Sequence, residues 1–257
     1  MMGANHAVSV QSVDRALHIL DLLQQEPKGI GITELSNKLD VSKSTVHRLL
    51  MSLWKKGYVQ QNKETERYWL GLKCLQLGES VSENLDVRQK AKPYLEQLAK
   101  KTSETVHLVT LENNEIVYID KIETHATIRM FSRVGKRAPL YCTGAGKAML
   151  AFLSENERQN VYAATSFHAF TNTTITTVDG LEKHLEGIRE NGFALDEEEH
   201  EEGIQCAASP IFDYAGKVVA SVSVAGPVIR VKDEKLALIA EDVKQTAAAV
   251  SQEMGGF

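Results

Sequence analysis

No stretch of this 257-residue chain approaches the run of about 20 apolar residues that a membrane-spanning helix requires. The opening residues, MMGANHAVSV, also lack a basic segment followed by an apolar one, which argues against a secretion signal. Cysteine is scarce. Cys74, Cys142 and Cys206 are odd in number, far apart, and form no Cys-x-x-Cys pair. That spacing excludes a disulfide framework and a zinc finger, and it predicts reduced thiols in the cytoplasm, away from any membrane. An excess of positive charge is missing as well, since the net charge is −5. No internal repeat or low-complexity tract is present, and the length suits one or two globular domains.

The negative balance conceals a partition. Residues 1–70 carry nine Lys/Arg against seven Asp/Glu, whereas the remainder carries twenty against twenty-seven. Between Asp40 and Glu64 there is no acid, while Lys43, Arg48, Lys55, Lys56 and Lys63 all fall there. Local charge, not the whole-chain value, decides whether a surface can approach phosphates.

Apolar spacing at Val13, Ala16, Leu17, Leu20 and Leu23 predicts a helix over 12–25, ended by the Glu26-Pro27-Lys28-Gly29 break. Thr33 is the expected cap of a short second helix carrying Leu35 and Leu39 inward. Asp40-Val41 makes a brief turn, and Ser42 is expected to cap a third helix running to about Lys56, with Val46, Leu49, Leu50, Leu53 and Trp54 as its buried stripe. Lys43, Ser44, Thr45, His47, Arg48 and Lys55 then occupy its outer side. Two short helices about a tight turn, the second polar and basic, form a helix-turn-helix whose second helix enters the major groove. Hydroxyl, imidazole and cationic groups suit base edges and phosphates. Tyr58–Gln61 and Arg67–Leu70 around a polar turn form a hairpin, the wing, with Lys63 and Arg67 placed to meet the DNA backbone. The chain therefore reads as a winged helix-turn-helix over 1–71, with double-stranded DNA as its partner.

A helical linker follows over 72–88, then a second helical pattern across Val87–Lys101 with Pro93 near its start. From Thr105 the period turns toward two. Strands are expected at 105–111 and 115–121 about an Asn113-Asn114 turn, at Ala126–Ser132, near Cys206–Phe212 and over Val218–Val224. Helices are expected at Gly146–Phe152, Asp179–Asn191 and from Asp233 onward, which makes residues 89–257 an α+β domain.

The stretches SVDRALHIL (12–20), ITEL (32–35) and KSTVHRLL (43–50) resemble the IclR family of transcriptional regulators, as do Tyr68–Gly71, Leu140–Ala148 and Ser221–Pro227. The resemblance runs over nearly the whole chain in order. It implies a GAF-like effector domain, a homodimer or dimer of dimers, and a small carboxylate, sugar acid or aromatic compound as effector. Repression is the more usual sign in that family.

The turn Thr143-Gly144-Ala145-Gly146-Lys147 lies between a strand-like segment and a helix, where small residues admit a ligand to backbone N–H groups. It is not a phosphate-binding P-loop, because Tyr141 and Ala148 stand where the first glycine and the hydroxyl residue belong. Taken alone it reads equally as a tight turn, and Asp196–Glu202 (DEEEHEE) reads as a solvated acidic loop. The resemblance instead implies that the Thr143–Gly146 turn, Asp196, Cys206 and Ser223 line an effector pocket. Ala225 stands where some relatives carry a second pocket serine. Ser221 shares a strand face with Ser223, and Leu140 and Met149 are candidates for an apolar wall. Two other functions stay open: a sensor whose helix-turn-helix joins proteins, and an enzyme using Asp196, His200 and Cys206. His200, Glu202 and Cys206 show no tight metal-ligand spacing, so neither metal nor cofactor is expected.

Overall fold

The chain divides into two compact units, 1–84 and 85–257. The computed structural model describes residues 10–83, 86–123 and 132–256. The expected linker is thereby split, α4 (Leu72–Glu83) grouping with the first unit and α5 (Asp86–Thr102) with the second. The strand expected at Ala126–Ser132 lies outside the described residues except for Ser132.

The first unit contains α1 (Gln11–Gln25), α2 (Ile32–Leu39), α3 (Lys43–Lys55) and the hairpin β1 (Val59–Gln61) and β2 (Tyr68–Leu70). Its core is Ile19, Leu23, Ile30, Leu35, Val46, Leu50, Val59 and Tyr68. Three expectations are corrected here. α1 buries the Ile19 and Leu23 side, leaving Val13 and Leu17 more than half exposed. Trp54 is 52% exposed, because it lies a turn beyond Leu50 and projects past this small core. Thr33 is not the cap of α2. Ile30 exchanges both backbone hydrogen bonds with Tyr68 at 2.9 Å, which holds the chain extended through Gly31, and the helix begins at once at Ile32. Asp40 closes α2 in a left-handed conformation, φ 50°. Ser42 caps α3 as expected, its hydroxyl accepting the Thr45 N–H at 3.3 Å.

The second unit is built on one antiparallel sheet in the order β5-β4-β3-β8-β7-β6. Its strands are β3 (Thr105–Glu112), β4 (Glu115–Ile122), β5 (Arg137–Pro139), β6 (Ala194–Glu197), β7 (Ile204–Phe212) and β8 (Val218–Pro227). Asn113 and Asn114 both have positive φ, as a two-residue hairpin turn demands. Side chains alternate across the sheet. Ala220, Val222 and Val224 face α5 and α9 (Asp233–Glu253), while Ser221, Ser223 and Ala225 face the opposite layer. That layer comprises α6 (Gly144–Leu150), α7 (Glu155–Ala164) and α8 (Val178–Asn191). Pro93 lies inside α5, in its first half and on an exposed side of the helix, where its missing N–H costs least.

α7 buries only Val161 and Tyr162, too few for a helical stripe in the sequence. A capping box starts it: Ser154 Oγ accepts the Glu157 N–H at 3.3 Å, and Glu157 Oε2 accepts the Ser154 N–H at 2.9 Å. Ser154→Ala removes half of that box and should cost about 1 kcal/mol. The thermal midpoint of the second unit should fall by roughly 2–4 °C, measured by circular dichroism. An unchanged midpoint would mean that the box contributes nothing to holding α7.

Candidate DNA-reading face and effector cavity

On α3 the Ser42 cap leaves an acid-free first turn, and Lys43, Ser44, His47, Arg48 and Lys55 are exposed. Thr45 is half-buried and shares a 3.0 Å hydroxyl contact with Ser42, which also meets Ser44 at 2.9 Å. These hydroxyls, His47 and the cations therefore crowd the N-terminal half of one helix, where a recognition helix makes its base contacts. Lys63 is exposed at the wing tip. Arg67 is committed within the protein, because its Nη1 donates to the Gly29 carbonyl at 2.6 Å and ties the wing to the break after α1.

In the second unit the chain leaves β5, turns at Leu140–Cys142 and enters α6 under the Thr143 cap. Thr143 Oγ1 donates to the Pro139 carbonyl at 2.7 Å and accepts the Gly146 N–H at 3.2 Å. A Cβ on Gly146 would stand 2.5 Å from both Leu140 O and Thr143 Oγ1, so this glycine serves the turn. A Cβ on Gly144 would meet Cys206 Sγ at 3.0 Å, which brings α6 close against β7.

Between α6 and the sheet lies a cavity of about 60 Å³. Thr143, Gly144, Ala145, Asp196, Cys206 and Ser223 line it, as the resemblance implies. Four other expected residues do not. Leu140 and Met149 are core, Gly146 is packed into its own turn, and Ser221 lies on the correct face but donates to the Ser209 carbonyl at 3.0 Å. The wall also contains His107, Tyr118, Ser132, Lys136, His200, Glu201, Ile204 and Ala225. His107 and Tyr118 lie within ordinary strand patterns that mark neither, and it is the pairing of His107 with Ser223 across β3 and β8 that brings the ring to the wall.

The buried electrostatics are strongly shifted. Burial pushes Asp196 up to about 7, against the pull of Lys147 and the Glu199 N–H, which donates to Asp196 Oδ1 at 2.8 Å. Burial and then Lys121 push His107 down to about 3, so the ring is neutral and its Nε2 meets Ser132 Oγ at 2.6 Å. Burial raises the Cys206 thiol, and it pushes Cys142 up to about 12. Such thiols are poor nucleophiles, and the Cys206 sulfur lies beside Ser223 and 3.7 Å from the Ala207 carbonyl, with no base among these partners to take its proton. Behind the wall, fully buried Lys147 donates to Glu199 Oε1 and lies 3.2 Å from His184 Nε2. Among the described residues no group of three or more His, Cys, Asp or Glu is placed to hold a metal ion, and no helix is long and apolar enough to cross a membrane.

Residues 12–63 match the IclR helix-turn-helix domain, and residues 79–252 match the C-terminal domain of the bacterial transcriptional regulator IclR. The chain belongs to the IclR family. It is 39% identical to the HTH-type transcriptional regulator XynR of Escherichia coli over 96% of this chain and 98% of that protein. The HTH-type transcriptional repressor AllR of the same organism is 34% identical, over 95% and 90%. The crystal structure of Thermotoga maritima IclR superposes with a TM-score of 0.80 at 35% identity, covering 95% of this chain and 99% of that one. The winged helix-turn-helix and the α+β C-terminal unit are thus those of a family of transcriptional regulators.

The Asp196 shift sets a pH dependence whose sign is defined. The folded state holds this proton to about pH 7, the unfolded state only to 3.8. The stability that Asp196 contributes is therefore complete below about pH 4 and is lost as the pH rises through 7. His107, down to about 3, and His184, down to about 4, act oppositely: their contribution is present above 6.5 and lost as the pH falls. The stability of Asp196→Asn relative to the wild-type chain should consequently rise between pH 4 and 7.5, the histidines cancelling from the difference. Urea titrations across that range measure it, and a flat difference would show that Asp196 is not held protonated.

Proposed function

We propose that this transcriptional regulator is a sequence-specific, effector-controlled repressor acting in the cytoplasm. The observation that carries this reading is the pairing of an exposed, acid-free basic helix in one unit with a small polar cavity in the other. On α3, Ser44, Thr45 and His47 read base edges, while Lys43, Arg48, Lys55 and, on the wing, Lys63 meet phosphates. Arg67 acts by anchoring the wing and contributes a phosphate contact only as far as its bond to Gly29 allows.

A homodimer, or a dimer of dimers, presents two such helices to a near-palindromic operator. The apolar residues left exposed on the first unit, Val13 and Leu17 on α1 and Leu72 and Leu75 on α4, support self-association there.

The effector is a small carboxylate or sugar acid. Its anionic end is met by the Gly144 and Ala145 N–H groups beside Thr143, with Lys136 on the wall, and its hydroxyl or carbonyl groups are met by Ser223, neutral His107 and protonated Asp196. Ala225, in place of a hydroxyl residue, makes the β8 side of the cavity less polar. The effector prefers one of two arrangements of the protein and shifts DNA affinity by its differential affinity for them.

Genomic fragments selected by the protein and assayed by fluorescence anisotropy test the DNA side. Lys43→Ala and Arg48→Ala should each weaken binding to all sequences and lower the salt slope by about one. Ser44→Ala and His47→Ala should instead relax sequence preference, at about 1–3 kcal/mol for each lost base contact. Unchanged DNA affinity in Lys43→Glu and Arg48→Glu would transfer the helix to protein association. Ser223→Ala should blunt the response to effector while operator binding without effector survives. Parallel loss of both in a folded variant would refute the division of labour between the units.

A further inference from the structure

One wall of the cavity is a short run that strand pairing does not hold. β6 pairs with β7 only as far as Glu197 with Gln205. Beyond it the chain turns at Glu198, φ 65°, before His200 and Glu201 reach the cavity. Three threonine hydroxyls from the segment before α8 take up the carbonyls of this run. Thr173 Oγ1 donates to Glu198 O at 2.8 Å and lies 3.2 Å from Glu197 O. Thr174 Oγ1 donates to Glu199 O at 2.6 Å, and Thr171 Oγ1 reaches the same carbonyl at 3.3 Å.

Thr174 is the hub. It is buried, and its oxygen also accepts the N–H groups of Phe170 at 3.0 Å and Thr171 at 2.9 Å. A buried hydroxyl saturated in this way fixes the carbonyl it donates to, because any displacement leaves several polar groups unpaired at once. Glu199 passes the constraint on. Its carbonyl is in the clip, its carboxylate is on Lys147 of α6, and its N–H donates to Asp196 Oδ1 at 2.8 Å.

We propose that Thr171, Thr173 and Thr174 are positioning residues for the effector site, holding the Asp196 carboxyl group in the cavity wall through Glu199. None of the three lines the cavity. The proposal rests on the reading of that cavity as the effector site. It also explains why an acidic run lies folded against the protein instead of spreading into solvent.

Asp196 offers a direct readout. The groups that act on it are Lys147 from α6 and the Glu199 and His200 N–H groups from the clipped run, which favour the charged form, and the Glu199 carboxylate, which opposes it; Asp196 in turn raises the hydroxyl of Tyr118 from β4 and the thiols of Cys206 from β7 and Cys142 before α6. The Glu199 carboxylate is held on Lys147 independently of the threonines, so loosening the clip removes chiefly the N–H bond to the charged form and makes ionisation harder.

The test is the titration of Asp196 in the full-length, ligand-free protein. It is read from carboxyl carbon shifts of aspartate-labelled samples, with Asp196→Asn identifying the signal. In Thr174→Val the midpoint should rise by about half a pH unit or more, and Thr174→Ser should restore it. Thr173→Ala, a change at an exposed site, should raise it less. Midpoints that stay or fall in both Thr174→Val and Thr173→Ala would overturn the proposal, whatever happens to thermal stability.

Glycolate, L-lactate and D-gluconate then serve as probes by calorimetry. A probe that binds the wild-type chain should bind Thr174→Val about tenfold more weakly, the scale on which supporting hydrogen bonds tune a bound group, and should recover in Thr174→Ser. Equal affinity for all three proteins would also overturn the proposal. If no probe binds while the midpoint moves as expected, the clip positions Asp196 and it is the effector reading of the cavity that fails.

Discussion

A lysine with no exposed surface anchors the larger unit. Moving an ammonium group out of water is tolerable only where it is paired and its hydrogen bonds are satisfied. Lys147 meets that condition with the Glu199 carboxylate and with a His184 ring that burial and Lys147 itself hold neutral, leaving its Nε2 able to accept. The requirement locks three elements to one point: α6 supplies the lysine, α8 the histidine, and the run after β6 the glutamate. Everything that lines the cavity on that side hangs from those elements. The turn at Thr143–Ala145 is the start of the lysine's own helix, and Asp196 is bonded to the glutamate's N–H. Removing one partner would leave a buried charge uncompensated, so the ion pair specifies geometry whether or not it adds net stability.

The two units use charge in opposite ways. On α3 the cations stand in water, where their interactions are long-ranged and screened by salt, as suits a surface that must meet and leave a polyanion. Around the cavity the titratable groups are withdrawn from water, and burial dominates the shifts of Asp196, His107 and Cys206. The result is a wall whose buried acids and rings are largely uncharged, with half-buried Lys136 and exposed Glu201 beside them. Each of its neutral acids and rings can donate or accept a hydrogen bond, which favours discrimination among small polar ligands over simple attraction of anions. The net charge of −5 averages these two surfaces and describes neither.

Much of this was legible because it is local. The Ser42 cap, the polar face of α3, the Asn113-Asn114 turn and the strand alternation that puts Ser223 and Ser221 on one face all follow from short-range rules, and each is present. Helix phase was less secure. Val13, Leu17 and Trp54 are apolar at plausible spacing, but the core of the first unit is too small to reach them. The cavity was legible only where a motif marked it. His107 and Tyr118 resemble any strand residues until tertiary pairing sets them opposite Ser223 and β5 neighbours. The DEEEHEE run was misleading in the other direction. Its charges announce solvent, yet Asp196 and Glu199 are about 95% buried, because Lys147 pairs with the Glu199 carboxylate, the Glu199 N–H bonds Asp196, and three threonines hold the carbonyls of the run.

Cavity size bears on how a ligand can act as a signal. About 60 Å³ is small beside the roughly 300–1,000 Å³ of ordinary ligand pockets. A ligand larger than that space is accommodated only by displacing a wall. Most of the enclosure is unsuited to yielding: β3, β7 and β8 are paired on both edges, and the α6 turn is held by Thr143 and the tightly packed Gly146. The run from Glu198 to Glu201 is different, held by hydroxyls and one ion pair instead of a continuous ladder. Its hydroxyl bonds all come from one neighbouring segment, so run and segment can shift together without unpairing Thr174, whereas a paired strand in a packed sheet moves only with its neighbours. On that physical ground the clipped run is the part of the wall least bound to the sheet, and a ligand that preferred one position of it could pass on only its differential affinity for the two.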